Sequence, residues 1–240
     1  MKLAIVIPAH NEEEIIAQTI KGLEDKLKLD YEIIVVNDHS TDKTASVVKE
    51  LFSRYSNVRL VDNDTGRGFA AALKKGFSAA TADFVVPVMA DLCDDPLTIQ
   101  DMYKKALEGF DVVCGSRYTH GGGKHGGPAM QSFFSRFVGK SLQYLIKIPT
   151  CDVSNSFKCY RKQVLDVLRI ESEAFEISME ITLKAYFKGF KITEVATVWK
   201  GRFMGKSKFY ILKVAPNYIK WYLWALFNPR AGLLRRRDRE

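Results

Sequence analysis

Three short acidic turns hold the residues of this sequence that are best suited to chemistry. Each turn follows an apolar run: HNEEE and NDHSTD come first, and MADLCDDP occupies residues 89–96. Side chains at strand ends, such as Glu12 and Asp38, can hydrogen-bond a nucleobase and a ribose, while backbone groups around Pro8 and His10 complete a pocket. The first two turns therefore predict a nucleotide site.

The same two turns also contain residue types that begin helices. Asn11 can cap a helix that starts at Glu12, and Ser40 with Thr41 can cap the next helix. Capping and ligand contact are compatible, so both roles are expected.

The third turn predicts a site for a hard divalent cation. Asp91, Asp94 and Asp95 share this turn, and Mg²⁺ or Mn²⁺ prefers oxygen ligands, commonly one or two carboxylates plus substrate phosphates. Asp95 precedes Pro96, a pair typical of a helix cap with proline at the first helical position. Asp91 is therefore the expected ligand.

Two arginines are placed to meet an anion in the same crevice. Arg117 ends the strand-like GSRY, and Arg202 follows the last apolar strand in WKGRFMGKSKF. Each guanidinium can grip a phosphate through two hydrogen bonds. The sequence contains no zinc spacing, no catalytic triad and no ATPase-type phosphate loop, and GRGFAA follows the third strand rather than the first. Covalent catalysis and dinucleotide binding are therefore not predicted.

Strands and helices alternate from Leu3 to Tyr118 and must position these turns. Strands that are continuous apolar runs are typical of a parallel sheet covered by helices on both faces. The pattern predicts a doubly wound, mainly parallel α/β fold whose ligand crevice lies beyond the carboxyl ends of the strands. All three acidic turns fall at that edge.

A glycine-rich segment, THGGGKHGGP at residues 119–128, separates this half from the rest of the chain. Its five glycines and one proline predict a mobile loop. The loop around Lys124 can close over a bound donor and exclude water. Beyond it, the pattern predicts helices over residues 131–146 and 176–188 and a last strand in ITEVATVW.

The formal net charge of +8 implies a phosphate-rich partner, which by charge alone is either a nucleic acid or an anionic lipid surface. Four cysteines without a Cys-x-x-Cys pair predict reduced thiols in the cytosol. The first residues form a short apolar strand without the pattern of a signal peptide.

The aromatic segment KFYILKVAPNYIKWYLWALFNP bears on the choice of partner. Lys213, Pro216 and Lys220 interrupt it, whereas a membrane span needs about 20 mostly apolar residues. Trp221 and Trp224 suit the headgroup level of a bilayer, and the alternative is a helix packed on the protein's own core. The arginine-rich end favours membrane contact, so we expect a peripheral membrane protein and no nucleic-acid partner.

Taken in order, the strand-end acids, MADLCDDP, GSRY and W-x-x-R-x-x-G-x-S-K resemble the family 2 glycosyltransferases of GT-A fold. Among them the chain looks most like the dolichyl- or polyprenyl-phosphate mannose synthases, from Leu3 to about Lys208. The resemblance implies a catalytic domain at residues 1–208, with a nucleotide-binding half at 1–118 and an acceptor half at 129–208, followed by an amphipathic, basic, membrane-associating tail at 209–240.

The resemblance also implies roles for individual residues. The nucleotide-sugar pocket would comprise Pro8, His10, Glu12, Val36, Asp38, Ala90 and Asp91, and Asp91 would also hold Mg²⁺ or Mn²⁺. The phosphates of donor and lipid would be held by Arg117, Arg202 and Lys208, which makes Asp91, Arg117 and Arg202 the catalytic set. The acceptor side would be shaped by Phe175, Glu176 and Glu180 in AFEISME.

Two positions depart from the family pattern. Met89 stands where the mannose synthases have the first aspartate of the metal motif, and Cys93 stands where they have a glutamine ligand. The implied metal site is weaker for this reason, and Asp94 can compensate.

The implied activity is transfer of a hexose, with inversion, from GDP-mannose to a polyprenyl or dolichyl phosphate at the cytoplasmic face of a membrane. A membrane partner subunit is compatible with this activity. The alternatives are a UDP-sugar donor, a soluble acceptor, or a nucleotide-sugar-binding protein without catalysis.

Overall fold

The computed structural model describes residues 2–91, 93–201 and 211–228. Within these ranges the strands are β1 (Leu3–Ala9), β2 (Tyr31–Asn37), β3 (Val58–Asp62), β4 (Phe84–Pro87), β5 (Val112–Ser116), β6 (Gly123–His125), β7 (Lys158–Arg161), β8 (Ile192–Ala196) and β9 (Val198–Lys200). The helices are α1 (Ile16–Lys26), α2 (Thr44–Glu50), α3 (Phe69–Ala79), α4 (Leu97–Leu107), α5 (Ala129–Ile146), α6 (Lys162–Val167), α7 (Ile177–Phe187) and α8 (Ile211–Phe227).

Seven of the strands form one sheet in the order β3-β2-β1-β4-β7-β5-β8. β7 runs antiparallel to both β4 and β5, and the other pairs are parallel. The sequence predicts an α/β fold with a mainly parallel sheet, and the structure confirms it as a mixed, mostly parallel one.

Helices cover both faces of this sheet, which explains why the strands are continuous apolar runs. Ile5 and Ile7 of β1 pack with α1, α2 and α4 on one face, whereas Ala4 and Val6 pack with α3, α6 and α7 on the other. Burying one large aliphatic side chain contributes about 1.5–3 kcal/mol. Both faces therefore stabilise the edge that carries the acidic turns.

A third apolar cluster joins α5, α7 and α8. α7 contacts both this cluster and the sheet, so nine of its eleven residues are buried. Trp221 of α8 is only 2% exposed and stacks edge-on against Trp224, with ring centroids 5.5 Å apart. The sequence leaves two interpretations of the C-terminal segment, contact with a membrane or packing on the protein's own core. For Trp221 the second interpretation is therefore correct. Within the described ranges, no helix combines the length and hydropathy of a membrane span.

The prediction of a mobile loop at residues 119–128 is wrong for its centre. β6 pairs in parallel with β9, so that Lys124 lies opposite Trp199. The last apolar stretch, predicted as one strand, divides into β8 in the large sheet and β9 in this small one. A glycine is needed just before β6, where the chain passes close to the end of β5: a Cβ on Gly122 would lie 2.5 Å from the carbonyl oxygen of Ser116.

Candidate functional site

A cleft of about 1620 Å³ opens at the carboxyl ends of the strands. In this sheet β2 and β3 lie on one side of β1, and β4 lies on the other side. The cleft lies at this change of direction in the strand order, which is the usual ligand position in such sheets. Six of the residues predicted to hold the nucleotide sugar, the metal or a phosphate line it: Pro8, His10, Glu12, Asp38, Asp91 and Arg117.

The other predicted residues are placed differently. Val36 is buried in the core beneath α3. Ala90 is buried too, and its carbonyl oxygen accepts a hydrogen bond of 2.8 Å from Thr19 Oγ1, which ties the third acidic turn to α1. Arg202 and Lys208 lie outside the described residues.

The loops after β1 and β2 are hydrogen-bonded to each other. Asn11, in a left-handed conformation with φ of 56°, accepts from the Thr41 N–H at 2.8 Å, and the Glu12 N–H donates to Thr44 Oγ1 at 2.8 Å. The caps predicted at Asn11 and at Ser40 with Thr41 are therefore wrong, because α1 begins only at Ile16 and α2 only at Thr44, and these polar groups bridge the two loops instead. This bridge fixes the backbone that presents Glu12 to the cleft.

Asp38 acts through its neighbours as well as at the cleft wall. Its Oδ1 accepts from Asn63 Nδ2 at 2.8 Å, and its Oδ2 accepts from the Gly68 N–H at 2.9 Å. Gly68 has a φ of 107°, which suits glycine. His10 Nδ1 lies 2.5 Å from the carbonyl oxygen of Asp38. Since a carbonyl oxygen can only accept, the ring nitrogen of His10 is the donor. Asp38 thus holds the turn after β3 against the pocket.

The third acidic turn is held by short contacts within and around it. Asp91 Oδ1 accepts from the Cys93 N–H at 3.2 Å, and the Cys93 carbonyl accepts from the Lys200 N–H of β9 at 2.8 Å. Asp95 Oδ1 accepts from the Leu97 N–H at 3.2 Å, which confirms its predicted place at the start of α4.

Asp94 is a second carboxyl group beside Asp91. It is 9% exposed, and its Oδ1 has no hydrogen-bond partner among the described residues. Burial, together with the charge of Asp91, raises the pKa of Asp94 to about 7. Two neighbouring carboxyl groups, one with an oxygen that lacks a donor, suit a hard cation. In the part of the chain that the structure describes, no cluster of three or more His, Cys, Asp or Glu side chains forms a complete metal site.

Arg117 is paired with a carboxylate that the sequence analysis does not single out. Its Nε donates to Asp152 Oδ2 at 2.7 Å and its Nη2 to Asp152 Oδ1 at 2.8 Å. The side chain of Arg117 is 10% exposed and that of Asp152 is fully buried. Burial alone would lower the pKa of Arg117, but the Asp152 carboxylate offsets this effect and raises it. The arginine is therefore charged and held in one orientation.

Phe175 reaches the cleft because two buried glutamates order the loop before α7. Glu180 accepts from the backbone N–H groups of Glu171 and Ser172, each at 2.7 Å, and Glu176 accepts from Ala174 N–H. Phe175 stacks on Phe69 with ring centroids 4.8 Å apart and lines the cleft. Of the three residues predicted for the acceptor side, the two glutamates support the loop from behind.

Exposed apolar side chains on α5 surround the opposite end of the cleft. Phe133 is 66% exposed and Phe137 58% exposed, and Phe134 and Met130 are exposed as well. Phe134, Phe137 and Met130 also line the cleft. The amphipathic pattern of the sequence predicts this helix but not the exposure of its rings.

Asp152, Asn63 and the α5 rings are thus the site residues that the sequence analysis misses. Asp152 left no signal, because in TCDVSNSF it stands among small polar residues, which are mostly exposed in proteins. The rings left none either, because exposure depends on which face of a helix finds a neighbour.

A mixed α/β sheet with strand-end carboxylates around a cleft at its switch point defines a class of nucleotide-dependent enzymes. The family model described as Glycosyl transferase family 2 matches residues 4–169, so the chain belongs to this family of glycosyltransferases.

Among curated proteins, the chain is 31% identical to the dolichol-phosphate mannosyltransferase of Pyrococcus furiosus, over 87% of this chain and 59% of that protein. It is 29% identical to an uncharacterized glycosyltransferase of Synechocystis sp., over 93% of this chain and 66% of that protein. The chain therefore spans less than two thirds of the length of these relatives.

The fold is similar to crystal structures of glucosyl-3-phosphoglycerate synthase from Mycobacterium tuberculosis. The complex with Mn²⁺, UDP-glucose and phosphoglyceric acid superposes with a TM-score of 0.71 at 18% identity, over 96% of this chain and 80% of that one. The complex with Mg²⁺ and UDP gives 0.68 at 19% identity, over 96% and 79%. At this identity the likeness establishes the GT-A fold alone.

Proposed function

We propose that the protein transfers a hexose, with inversion, from a nucleoside-diphosphate sugar to the phosphate of a polyprenyl or dolichyl lipid. One observation carries the proposal: a single cleft runs from the strand-end carboxylates to the exposed rings of α5. A polar donor and an apolar acceptor can meet in such a cleft. The similarity to the dolichol-phosphate mannosyltransferase of Pyrococcus furiosus supports a lipid phosphate as the acceptor and mannose as the sugar. As the donor we propose GDP-mannose.

The donor side of the proposal rests on the interlocked loops after β1 and β2. Glu12 and Asp38 line the cleft beside Pro8 and His10, where they can hydrogen-bond a base and a ribose. Their backbones are fixed before any ligand arrives, which reduces the entropy lost on binding.

Asp91 would hold the divalent cation, with Asp94 beside it. Mg²⁺ or Mn²⁺, when bound, would neutralise charge on the departing diphosphate. Met89 and Cys93 line the same part of the cleft without offering the family's oxygen ligands. Asp94 is the described side chain best placed to replace the missing carboxylate.

The remaining chemistry is the control of charge. A phosphate oxygen of the acceptor is already anionic, so its attack on the anomeric carbon needs no strong general base. Arg117 gives two of its five N–H donors to Asp152 through Nε and Nη2, and the others can reach a phosphate. Preorganised donors of this kind stabilise charge without rearranging during the reaction.

The acceptor side includes a proposed contact with a membrane. Phe133, Phe137, Lys140 and Tyr144 follow one another at helical spacing and are exposed on α5. Rings beside cationic groups suit the headgroup region of an anionic bilayer. We place this helix at the cytoplasmic face of the membrane, so that the lipid phosphate enters the cleft past Phe134 while its chain stays in the bilayer.

A transfer assay with the purified chain tests the proposal. GDP-mannose and UDP-glucose are each supplied with Mg²⁺ or Mn²⁺, and polyprenyl phosphate in micelles is compared with phosphoglyceric acid as a soluble acceptor. The expected product is a labelled sugar that extracts with the lipid. Transfer only to the soluble acceptor would overturn the lipid assignment, and donor binding without any transfer would indicate a non-catalytic protein.

A further inference from the structure

Lys124 occupies a fixed position in the cleft because its segment forms a strand. β6 lies along β9, and the Lys200 N–H of β9 donates to the Cys93 carbonyl of the acidic turn. The Trp199 ring packs closely against the backbone of Gly127, where a Cβ would lie 3.2 Å from the ring. Lys124 is therefore tied, through β9, to the turn that carries Asp91.

The ammonium group of Lys124 differs from the guanidinium of Arg117 in what it contacts. Lys124 Nζ lies 5.0 Å from the centroid of the Trp199 ring, and the side chain lines the cleft. Among the described residues, Lys124 forms no ion pair with a carboxylate, whereas Arg117 is bound by both oxygens of Asp152. The aromatic ring holds the ammonium in place without neutralising its charge.

We propose that Lys124 binds a phosphate group of a substrate in the cleft, and that the Arg117–Asp152 pair positions the site around it. The proposal rests on the function proposed above. In this proposal, the positive charge that is not neutralised by a carboxylate belongs to Lys124 in the glycine-rich segment. The sequence alone suggests Arg117 for that role.

The surroundings of Lys124 favour the phosphate of the acceptor over that of the donor. Lys124 is close enough to Arg117 and Asp152 to feel the charge of both. Its strand leads within four residues into α5, where Met130 and Phe134 line the end of the cleft that we assign to the lipid. A phosphate between Lys124 and the Asp91 turn would face the anomeric carbon of a donor held by that turn.

The test uses three variants of the full chain. Lys124→Met removes the charge, Lys124→Arg keeps it, and Lys49→Met removes an exposed charge at the far end of α2 as a control. If Lys124→Met melts below the assay temperature, Lys124→Gln replaces it. Each variant is assayed for the KM of polyprenyl phosphate and, by isothermal titration, for affinity towards GDP and UDP.

We expect Lys124→Met to raise the acceptor KM roughly tenfold to a hundredfold, the usual effect of losing a hydrogen bond between charged groups. Lys124→Arg should restore most of the loss, and Lys49→Met should match the wild type. A similar loss in GDP or UDP affinity, with an unchanged acceptor KM, would identify the phosphate as that of the donor. Unchanged values in both measurements would overturn the proposal.

Failure of the proposed function leaves this test intact. If the wild type transfers no sugar to polyprenyl phosphate, the titrations are repeated with GDP, UDP and inorganic phosphate as probes. Weaker binding of any of these anions by Lys124→Met supports the phosphate site, and equal binding of all three by wild type and variant refutes it.

Discussion

The two ends of the cleft are built in different ways. At the donor end, backbone N–H groups and short polar side chains join the loops after β1 and β2, so the position of each carboxylate is fixed. At the acceptor end, α5 exposes large apolar rings. The first construction suits a small polar ligand of constant shape, and the second suits a partner with a flexible apolar chain.

Asp91→Ala should remove the proposed ligand of the divalent cation at the donor end and lower sugar transfer by about 10³-fold. The melting temperature should change little, because Asp91 is partly exposed. Asp95→Ala is the control, since it removes the α4 cap, costs about 1 kcal/mol of stability, and should retain transfer. Full activity in Asp91→Ala would show that this turn does not hold the reacting groups.

Asp152→Asn should destabilise the protein by about 3–5 kcal/mol, because it leaves the buried charge of Arg117 without a partner. Urea unfolding measures this loss. Asp111→Asn breaks a similar pair with Arg161 whose side chains are more exposed, so its effect should be smaller. Equal losses in the two variants would mean that the Arg117 pair is not specially protected from water.

Replacing Phe133 and Phe137 together by serine should weaken binding to anionic liposomes by about tenfold or more, because two apolar rings no longer enter the lipid. Melting temperature and donor affinity should stay at wild-type values, since both rings are exposed. Phe52→Ser removes an exposed ring from the donor half as a control. If co-sedimentation with liposomes is the same for all three proteins, α5 does not contact the membrane.

The smallest effect is a pH dependence of the acceptor KM. Burial and the charge of Arg117 lower the pKa of Lys124 to about 8, and Asp152 acts in the opposite direction. Below pH 8 the ammonium is charged and can hold a phosphate, and above it the charge is lost. The acceptor KM should therefore rise by a few fold between pH 7 and pH 9. Lys124→Arg should flatten the profile, and an unchanged profile in that variant would assign the titration to another group.

The donor end could be predicted from the sequence because it depends on residues that are close together in the chain. Each apolar run predicts a strand, and the carboxyl ends of parallel strands lie at one edge of the sheet. Glu12, Asp38 and Asp91 directly follow such strands, so they are expected at that edge. The Asp95 cap was predictable for the same reason, since it depends on the two residues that follow. The predicted caps at Asn11 and Ser40 failed because each group found a partner about 30 residues away.

The acceptor end could not be predicted because its contacts are between distant parts of the chain. Asp152 meets Arg117 across 35 residues, and β6 pairs with β9, which comes after both β7 and β8 in the chain. Glycines at residues 121–123 suggest flexibility when read alone, whereas here Gly122 lets the chain pass close to the backbone at the end of β5. Whether a ring on α5 or α8 is exposed depends on how α5, α7 and α8 pack against one another.

The antiparallel strand in the middle of the large sheet affects how the protein forms during synthesis. In that sheet β4 is bonded to β1 and β7, and β5 is bonded to β7 and β8. Until residue 161 has left the ribosome, the edges of β4 and β5 remain open to pairing with other chains. A nascent chain that ends before β7 should therefore expose aggregation-prone edges and recruit chaperones, and residues 1–118 alone should not fold autonomously.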